Sequence, residues 1–288
     1  MPIKNALTVD VEDYFQVSAF AKSISQNEWD NYPSRVERNT QRLLDMFDEA
    51  QIKATFFVLG WVADRNRSLI QEIAQRGHEV ASHGYSHQLI YNQSQAVFRE
   101  ETLRSKLLLE DIIQAPVRGY RAASYSITKN SLWALDVLAE AGFDYDSSIF
   151  PVRHDRYGIP DAKEIPHVLK TPNGESIVEF PLSTAKIFNY KLPVAGGGYF
   201  RLYPYTLTRA GLRQVNSRHQ PFIFYLHPWE IDPDQPNIEA GWFSRFRHYN
   251  NLEKCESRLQ RLMNDFQFDT AWHVLDSLGL TGASSDAV

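Results

Sequence analysis

"EVASHGYSH", residues 79–87, sets His83 and His87 four positions apart, directly behind a short apolar run and beside two small residues. If the segment is helical, that spacing puts both imidazoles on one face, an arrangement that suits a divalent transition metal. The pair alone is a weak motif, equally compatible with two surface histidines. A third ligand, a base, an acid and an architecture that gathers them have to come from the rest of the chain.

Outward from this stretch the hydrophobic period keeps switching between strand and helix. "HEVAS" (78–82) reads as a strand behind the helix "RSLIQEIAQRG" (67–77), which Gly77 stops. Upstream, "NALTV" (5–9) and "KATFFVLG" (53–60) are strand-like, and "RVERNTQRLLDMFDEA" (35–50) spaces Val36, Leu43, Leu44 and Phe47 as a helix between them. Downstream, a helix over 94–113 precedes the strand "VRGYR" (117–121). A second helix, 128–142 with Thr128 as N-cap, precedes "FDYDSSI" (143–149). Residues 150–200, rich in Pro and Gly, break the rhythm and read as long loops with a hairpin. A helix near 205–218 leads to the apolar strand "PFIFYLHPWE" (221–230), a helix over 251–266 follows, and "DTAWHVLDSLG" supplies a last strand and helix. Repeated strand–helix units predict an α/β fold with a parallel sheet closed or nearly closed into a barrel. The tail "TGASSDAV" reads as frayed.

Bulk properties bound the function. The 288 residues carry 43% hydrophobic and 23% charged side chains and a net charge of −5 with no basic run, so no nucleic-acid footprint is visible. No window offers 18 apolar residues, and the N-terminus lacks a signal-peptide core. With the single cysteine, Cys255, these features predict a cytoplasmic protein without disulfides. Cys255 reads as a buried or surface thiol rather than a nucleophile.

The informative fact is where the polar residues fall. Asp10, His83, Arg121, Asp146 and His227 each lie at or just beyond the C-terminal end of a predicted strand. In α/β barrels, functional side chains converge at that edge. In "TVDVED" (8–13), Asp10 and Glu12 share a face if the strand continues, and Asp13 joins them only if the chain turns. A carboxylate from here completes a set of two histidines and one acid.

"TVDVED", "SHGYSH", "GYRAASYSI", "YDSSIFP" and "FYLHPWE" resemble, in order, the five signature motifs of the polysaccharide deacetylases, the NodB-homology group of carbohydrate esterases (family 4). The likeness covers about residues 5–230. "GGGYFR" (196–201) and "HPWEIDPDQP" (227–236) are similar to deacetylases of exopolysaccharide biosynthesis clusters, which carry a C-terminal extension. The resemblance implies a distorted, incomplete (β/α) barrel over 1–230, with 231–288 packed on the same domain. That last segment would close the barrel's edge or make a subunit contact. The implied activity is metal-dependent removal of N-acetyl groups from an acetamido sugar of a surface-polysaccharide or oligosaccharide precursor. One divalent ion is implied, zinc foremost, with cobalt, nickel or manganese as alternatives. By the same resemblance Asp10 is the catalytic base, Arg121 its partner, and His83 and His87 are metal ligands. The backbone N–H of Tyr125 meets the oxyanion. His227 is the general acid, and Asp146 orients it.

This chain also departs from the pattern. Two adjacent aspartates are usual in the first motif, whereas here the order is Asp10, Val11, Glu12, Asp13, which leaves either Glu12 or Asp13 as the metal carboxylate. Ala123 stands where proline is usual, and the fourth motif lacks the tryptophans that wall the groove. Trp229, Tyr199 or Phe200 could wall it instead, and Gly196–Gly198 could form either a mobile lip or a plain hairpin loop. Two other functions share these residues: hydrolysis of another linear or cyclic amide, as in allantoinases, and non-catalytic sugar binding. Expected partners are the saccharide, no nucleic acid and no membrane span, with oligomerisation open.

Overall fold

The computed structural model describes residues 3–154, 156–188 and 190–281, so most of the tail read as frayed lies outside the described residues. The strands in chain order are β1 (Lys4–Val11), β2 (Thr55–Val58), β3 (Glu79–Ser82), β4 (Gly119–Tyr120), β5 (Tyr145–Asp146), β6 (His167–Lys170), β7 (Ser176–Glu179), β8 (Thr184–Ile187), β9 (Tyr190–Pro193), β10 (Ile223–Leu226) and β11 (Gln267–Asp269). The helices are α1 (Val36–Glu49), α2 (Gly60–Arg65), α3 (Arg67–Gln75), α4 (Gln95–Ile113), α5 (Trp133–Glu140), α6 (Gly197–Leu202), α7 (Tyr205–Asn216), α8 (Trp242–Tyr249), α9 (Cys255–Asp265) and α10 (Ala271–Ser277).

One sheet runs β10-β1-β2-β3-β4-β5-β7-β6, with β11 against the first residues of β1. Every pairing in it is parallel except β6 with β7. Parallel strands are covered on both faces, and β1 accordingly buries every residue after Lys4. No pairing joins β6 to β10 among the described residues, so the barrel is incomplete, as the resemblance implies. The β8–β9 hairpin and a bridge from Gly196 to Tyr225 lie in the gap.

Local sequence explains the helices. Val36, Leu43, Leu44 and Phe47 form the buried stripe of α1. Ser94 caps α4 by accepting from the Val97 N–H. Two expected strands are much shorter than their apolar runs: β4 and β5 have two residues each. The chain leaves the sheet there because its next residues, Arg121 and Ser147, turn inward to bond each other.

Register is what assembles the site. Val9 pairs with Leu226, so Asp10 and His227 leave adjacent strands side by side. Ser82 pairs with Tyr120, so His83 and Arg121 do the same. No helix among the described residues is long and apolar enough to cross a membrane.

Candidate metal centre and active site

His83 and His87 meet, but not on a helix. The segment is a turn in which Gly84 (φ 75°) and His87 (φ 53°) are left-handed, and the two rings end 5.2 Å apart. A non-glycine residue in that region of φ is uncommon, so its neighbours must hold it there. The imidazole of His83 has a fixed tautomer. Its Nδ1 lies 2.9 Å from the Arg121 carbonyl oxygen, which can only accept, so Nδ1 carries the proton and Nε2 keeps a lone pair. Burial pushes His83 down to about 4, which keeps that lone pair unprotonated at neutral pH.

Glu12 is the carboxylate that joins them. One ligand atom each from Glu12, His83 and His87 lies within 4.8 Å of the others. Glu12 Oε2 sits 2.8 Å from His87 Nε2, yet the contact lacks hydrogen-bond geometry and the buried oxygen has no donor. Burial would raise the Glu12 carboxyl, but His87 above all, with His227 and His83, brings it down to about 2. A buried carboxylate oxygen without a donor, facing imidazole nitrogens, is what a divalent cation would satisfy, so the donor set fits a divalent metal. Asp13 is placed elsewhere. It accepts from Ser34 Oγ (2.8 Å) and from the backbone N–H groups of Arg35 (2.7 Å), Val36 (3.1 Å) and Tyr14 (3.0 Å), serving the start of α1.

Asp10 is held by Arg121. The fully buried guanidinium donates to Asp10 Oδ1 at 2.6 Å, to Thr8 Oγ1 at 2.8 Å and to the Ser147 carbonyl at 3.2 Å, and it packs on the Phe57 ring at 4.0 Å. Asp10 Oδ2 is left facing His227 Nε2 at 3.9 Å.

The carboxylate on His227 is not Asp146. Glu230 Oε2 lies 3.1 Å from His227 Nδ1 and accepts the His227 backbone N–H at 3.0 Å. Asp146 instead accepts from the Ser148 hydroxyl (2.5 Å) and N–H (3.1 Å) beside Glu179, whose carboxyl burial and Asp146 hold well above the usual range. Glu230 is in turn bonded at 2.7 Å by the buried Arg201, whose other nitrogens reach the carbonyls of Arg247, His248 and Asn250. Burial works against ionising Glu230, but Arg201 and His227 bring it to about 2. Burial likewise works against charging His227, but Glu230, Glu12 and Asp10 raise it to about 9. Glu230 and Arg201 were missed as functional residues. Their signal was present: Glu230 stands three after His227 in a capping-box spacing, and Arg201 ends the quoted "GGGYFR".

Three further expectations change. Tyr125 N–H is donated to the Ala122 carbonyl at 3.0 Å within the Ala123–Tyr125 turn, so it does not point at the site. Trp229 lines the cavity but is buried, not an open platform. His227 stacks on one side (5.1 Å), His248 lies on it at 4.2 Å, and its Nε1–H donates to Glu12 Oε1 at 3.3 Å. The glycines form neither lip nor hairpin loop: Gly196 packs against β10 so closely that a Cβ would overlap the Tyr225 carbonyl oxygen. Tyr199 does line the cavity, its hydroxyl 3.2 Å from that of Tyr157, whereas Phe200 is buried against Phe224. Cys255 is buried, and burial raises its thiol.

Asp10, Glu12, His83, His87 and His227 all face one cavity of about 460 Å³, within the range of small-molecule sites.

Residues 22–145 match the polysaccharide deacetylase family, and 147–276 match a domain of unknown function (DUF3473). A peptidoglycan-N-acetylglucosamine deacetylase of Bacillus cereus is 28% identical over 98 residues, which are 34% of this chain and 36% of that protein. The chain thus matches about a third of that relative's length. Among solved structures, one assigned to the polysaccharide deacetylases, from Mycobacterium smegmatis, superposes with a TM-score of 0.61 at 18% identity, covering 98% of this chain and 96% of the other. An allantoinase superposes with a TM-score of 0.63 at 14% identity, covering 99% and 92%. These two likenesses concern the fold. The cavity draws on both matched regions: His83 and His87 lie in the first, His227 in the second.

Proposed function

For a chain whose residues 22–145 match the polysaccharide deacetylase family, we propose hydrolytic removal of N-acetyl groups from an acetamido sugar of an oligosaccharide or polysaccharide precursor. One observation carries this reading: Asp10 with Arg121, and His227 with Glu230, stand beside the Glu12–His83–His87 cluster at one cavity. The B. cereus relative, named for deacetylating N-acetylglucosamine of peptidoglycan, supports the substrate class.

An acetamide is resonance-stabilised, so its hydrolysis needs a polarised carbonyl, an activated water and a protonated leaving amine. A divalent cation held by Glu12, His83 and His87, zinc foremost, would supply the polarisation and make water acidic enough to ionise near neutrality. Asp10, aimed by Arg121, takes the proton of the attacking water at Oδ2. Glu230 on Nδ1, with Glu12 and Asp10 nearby, raises His227 to about 9 and favours its cationic form at neutral pH, so Nε2 holds the proton that the departing amine needs. Trp229 fixes the ring plane of His227 by stacking. We read the extension that begins at residue 231 as packed on the barrel over its described residues, 231–281, a reading supported by β11 on β1 and by α8 residues at the cavity.

The same chemistry would open a cyclic amide, but a cavity this large, with an open aromatic mouth, favours a saccharide. The test is acetate release from N-acetylated chito-oligosaccharides by the zinc-, cobalt-, nickel- or manganese-loaded protein, beside Asp10→Asn. Release by the parent and its loss in the variant are expected. Binding without release by any loaded form would leave a non-catalytic sugar-binding protein.

A further inference from the structure

Part of the cavity's exposed wall comes from the region matched only to a domain of unknown function. Leu202, Phe243 and Phe246 line it, yet they are 50%, 63% and 45% exposed. Trp242 stacks on Phe246 at 5.6 Å, so α8 presents a broad aromatic plane beside the opening. Large apolar side chains left in water around a concave site mark a place where something apolar packs. The carbon-bound face of a pyranose is such a partner.

Arg156 and Arg247 share this wall. The Arg247 guanidinium lies 5.4 Å from the centre of the Phe243 ring, and Arg156 reaches Ser18 Oγ at 3.3 Å. Neither has a carboxylate partner among the described residues. Among the other surface arginines some, such as Arg35, Arg65, Arg76 and Arg118, meet one, and others, such as Arg245 and Arg261, meet none among the described residues. Guanidinium groups that line a cavity and have no carboxylate partner among the described residues are suited to carboxylate or phosphate, which they bind in a two-pronged geometry.

We infer that this wall is a subsite for the saccharide next to the acetamide, where Leu202, Phe243 and Phe246 cover a sugar ring and Arg156 and Arg247 bind an anionic substituent. The inference rests on the proposed function, because it assumes that the acetamide occupies the Glu12–His83–His87 end. It narrows the substrate to an N-acetylated sugar next to a negative charge. That charge comes either from a uronate-type carboxylate in the chain or from the phosphate of a carrier.

The experiment is calorimetric binding to zinc-loaded Asp10→Asn protein, at low and high salt, of three probes. These are N-acetylchitotetraose, a hyaluronan tetrasaccharide and UDP-N-acetylglucosamine. At least one anionic probe is expected to bind ten-fold more tightly than the neutral tetrasaccharide at low salt. Adding Arg156→Ala and Arg247→Ala together should remove that advantage and leave neutral binding within two-fold. Adding Phe246→Ala instead should weaken neutral and anionic saccharides alike, by about five-fold. Which anionic probe gains identifies carboxylate or phosphate as the group bound. Equal affinity for all three probes, an advantage that survives loss of both arginines, or no binding of any probe would overturn the inference. Acetate release by the parent is measured on the same ligands. Charge discrimination without release sinks the deacetylase reading alone, and release without discrimination sinks the subsite alone.

Discussion

Glu230 Oε2 accepts the His227 backbone N–H at 3.0 Å and lies 3.1 Å from His227 Nδ1, so this side chain helps both to orient the imidazole and, with Glu12 and Asp10, to favour its charged form. Asp146, the acid expected there, is instead turned to Ser148. The two carboxylates therefore separate by experiment. Glu230→Gln removes the charge but keeps the shape. Partners of this kind are worth roughly 10–100-fold, so kcat for acetate release should fall by about that much with KM nearly unchanged. Asp146→Asn should leave kcat within about three-fold and lower the melting temperature instead. Steady-state kinetics on both variants, taken well below their melting points, checks the assignment. A kcat loss confined to Asp146→Asn would make Asp146 the acid that orients His227.

The carboxylates of the first motif separate in the same way. Glu12→Gln, His83→Ala and His87→Ala should each abolish binding of one metal ion per chain. Asp13→Asn should keep the metal, because its oxygens serve Ser34 and the backbone of Arg35 and Val36. Losing those charged hydrogen bonds should cost about 2 kcal/mol. Elemental analysis beside thermal melts reads both quantities, and a metal-free Asp13→Asn protein would contradict the placement.

How much of this was legible follows from what a sequence can encode locally. The parallel α/β architecture was, because apolar runs and helical stripes alternate from Ala6 to Asp146. So was the set Asp10, His83, Arg121 and His227, because strand ends converge whatever the loops do. The partner of His227 was not, because Asp146 and Glu230 both stand near strand ends and only the third dimension chooses between them. The choice is made by Arg201, 29 residues from Glu230 in the chain, whose buried guanidinium needs that carboxylate. Glu12 against Asp13 was undecidable for a related reason. After Val11 the chain turns, and the fate of each acid depends on whether it meets His87 or the start of α1.

Arg121 carries the largest structural debt at the site. Its side chain is fully buried and bonded to Asp10, Thr8 and Ser147. Removing one member of a buried pair strands the other, at a cost of roughly 3–5 kcal/mol. Arg121→Met should therefore lower stability by that order and abolish turnover. Arg121 with Asp10→Asn present should be the less costly loss, because the neutral amide needs no cation. Denaturant melts of the two singles and the double would show this as coupling between the sites. Additive losses would mean that the pair does not act as a unit.

Away from the cavity, His78 gives a pH prediction. It packs between Phe47 and Phe56, and its Nδ1 accepts the Ala54 N–H at 3.1 Å, so only the neutral ring fits. Burial lowers it from 6.5 to about 4. The unfolded chain takes up the proton first as pH falls. The stabilising effect of this histidine is therefore complete above about 6.5 and is lost progressively down to about 4. The melting temperature of the parent should decline across that window, and His78→Gln, which can still accept from Ala54, should flatten the decline. An unchanged slope in the variant would place the titration elsewhere.

Gly196 makes a prediction that ties the C-terminal half of the chain to catalysis. Its φ of 127° is closed to other residues, and any Cβ would collide with the Tyr225 carbonyl. Tyr225 stands two residues before His227, and Gly196 itself caps α6, which carries Arg201. Gly196→Ala must therefore push α6 away from β10 or deform β10, and either movement shifts Arg201 against Glu230. The expected cost is on the order of 3 kcal/mol from overlap and backbone strain together. A control separates instability from misplacement: Gly241→Ala, where a Cβ meets nothing, should be nearly neutral. If Gly196→Ala protein, cooled until it is folded and metal-loaded, still shows a large kcat defect, the geometry of the Arg201–Glu230–His227 chain is what the glycine protects. Full activity in that folded state would reduce Gly196 to a stability residue.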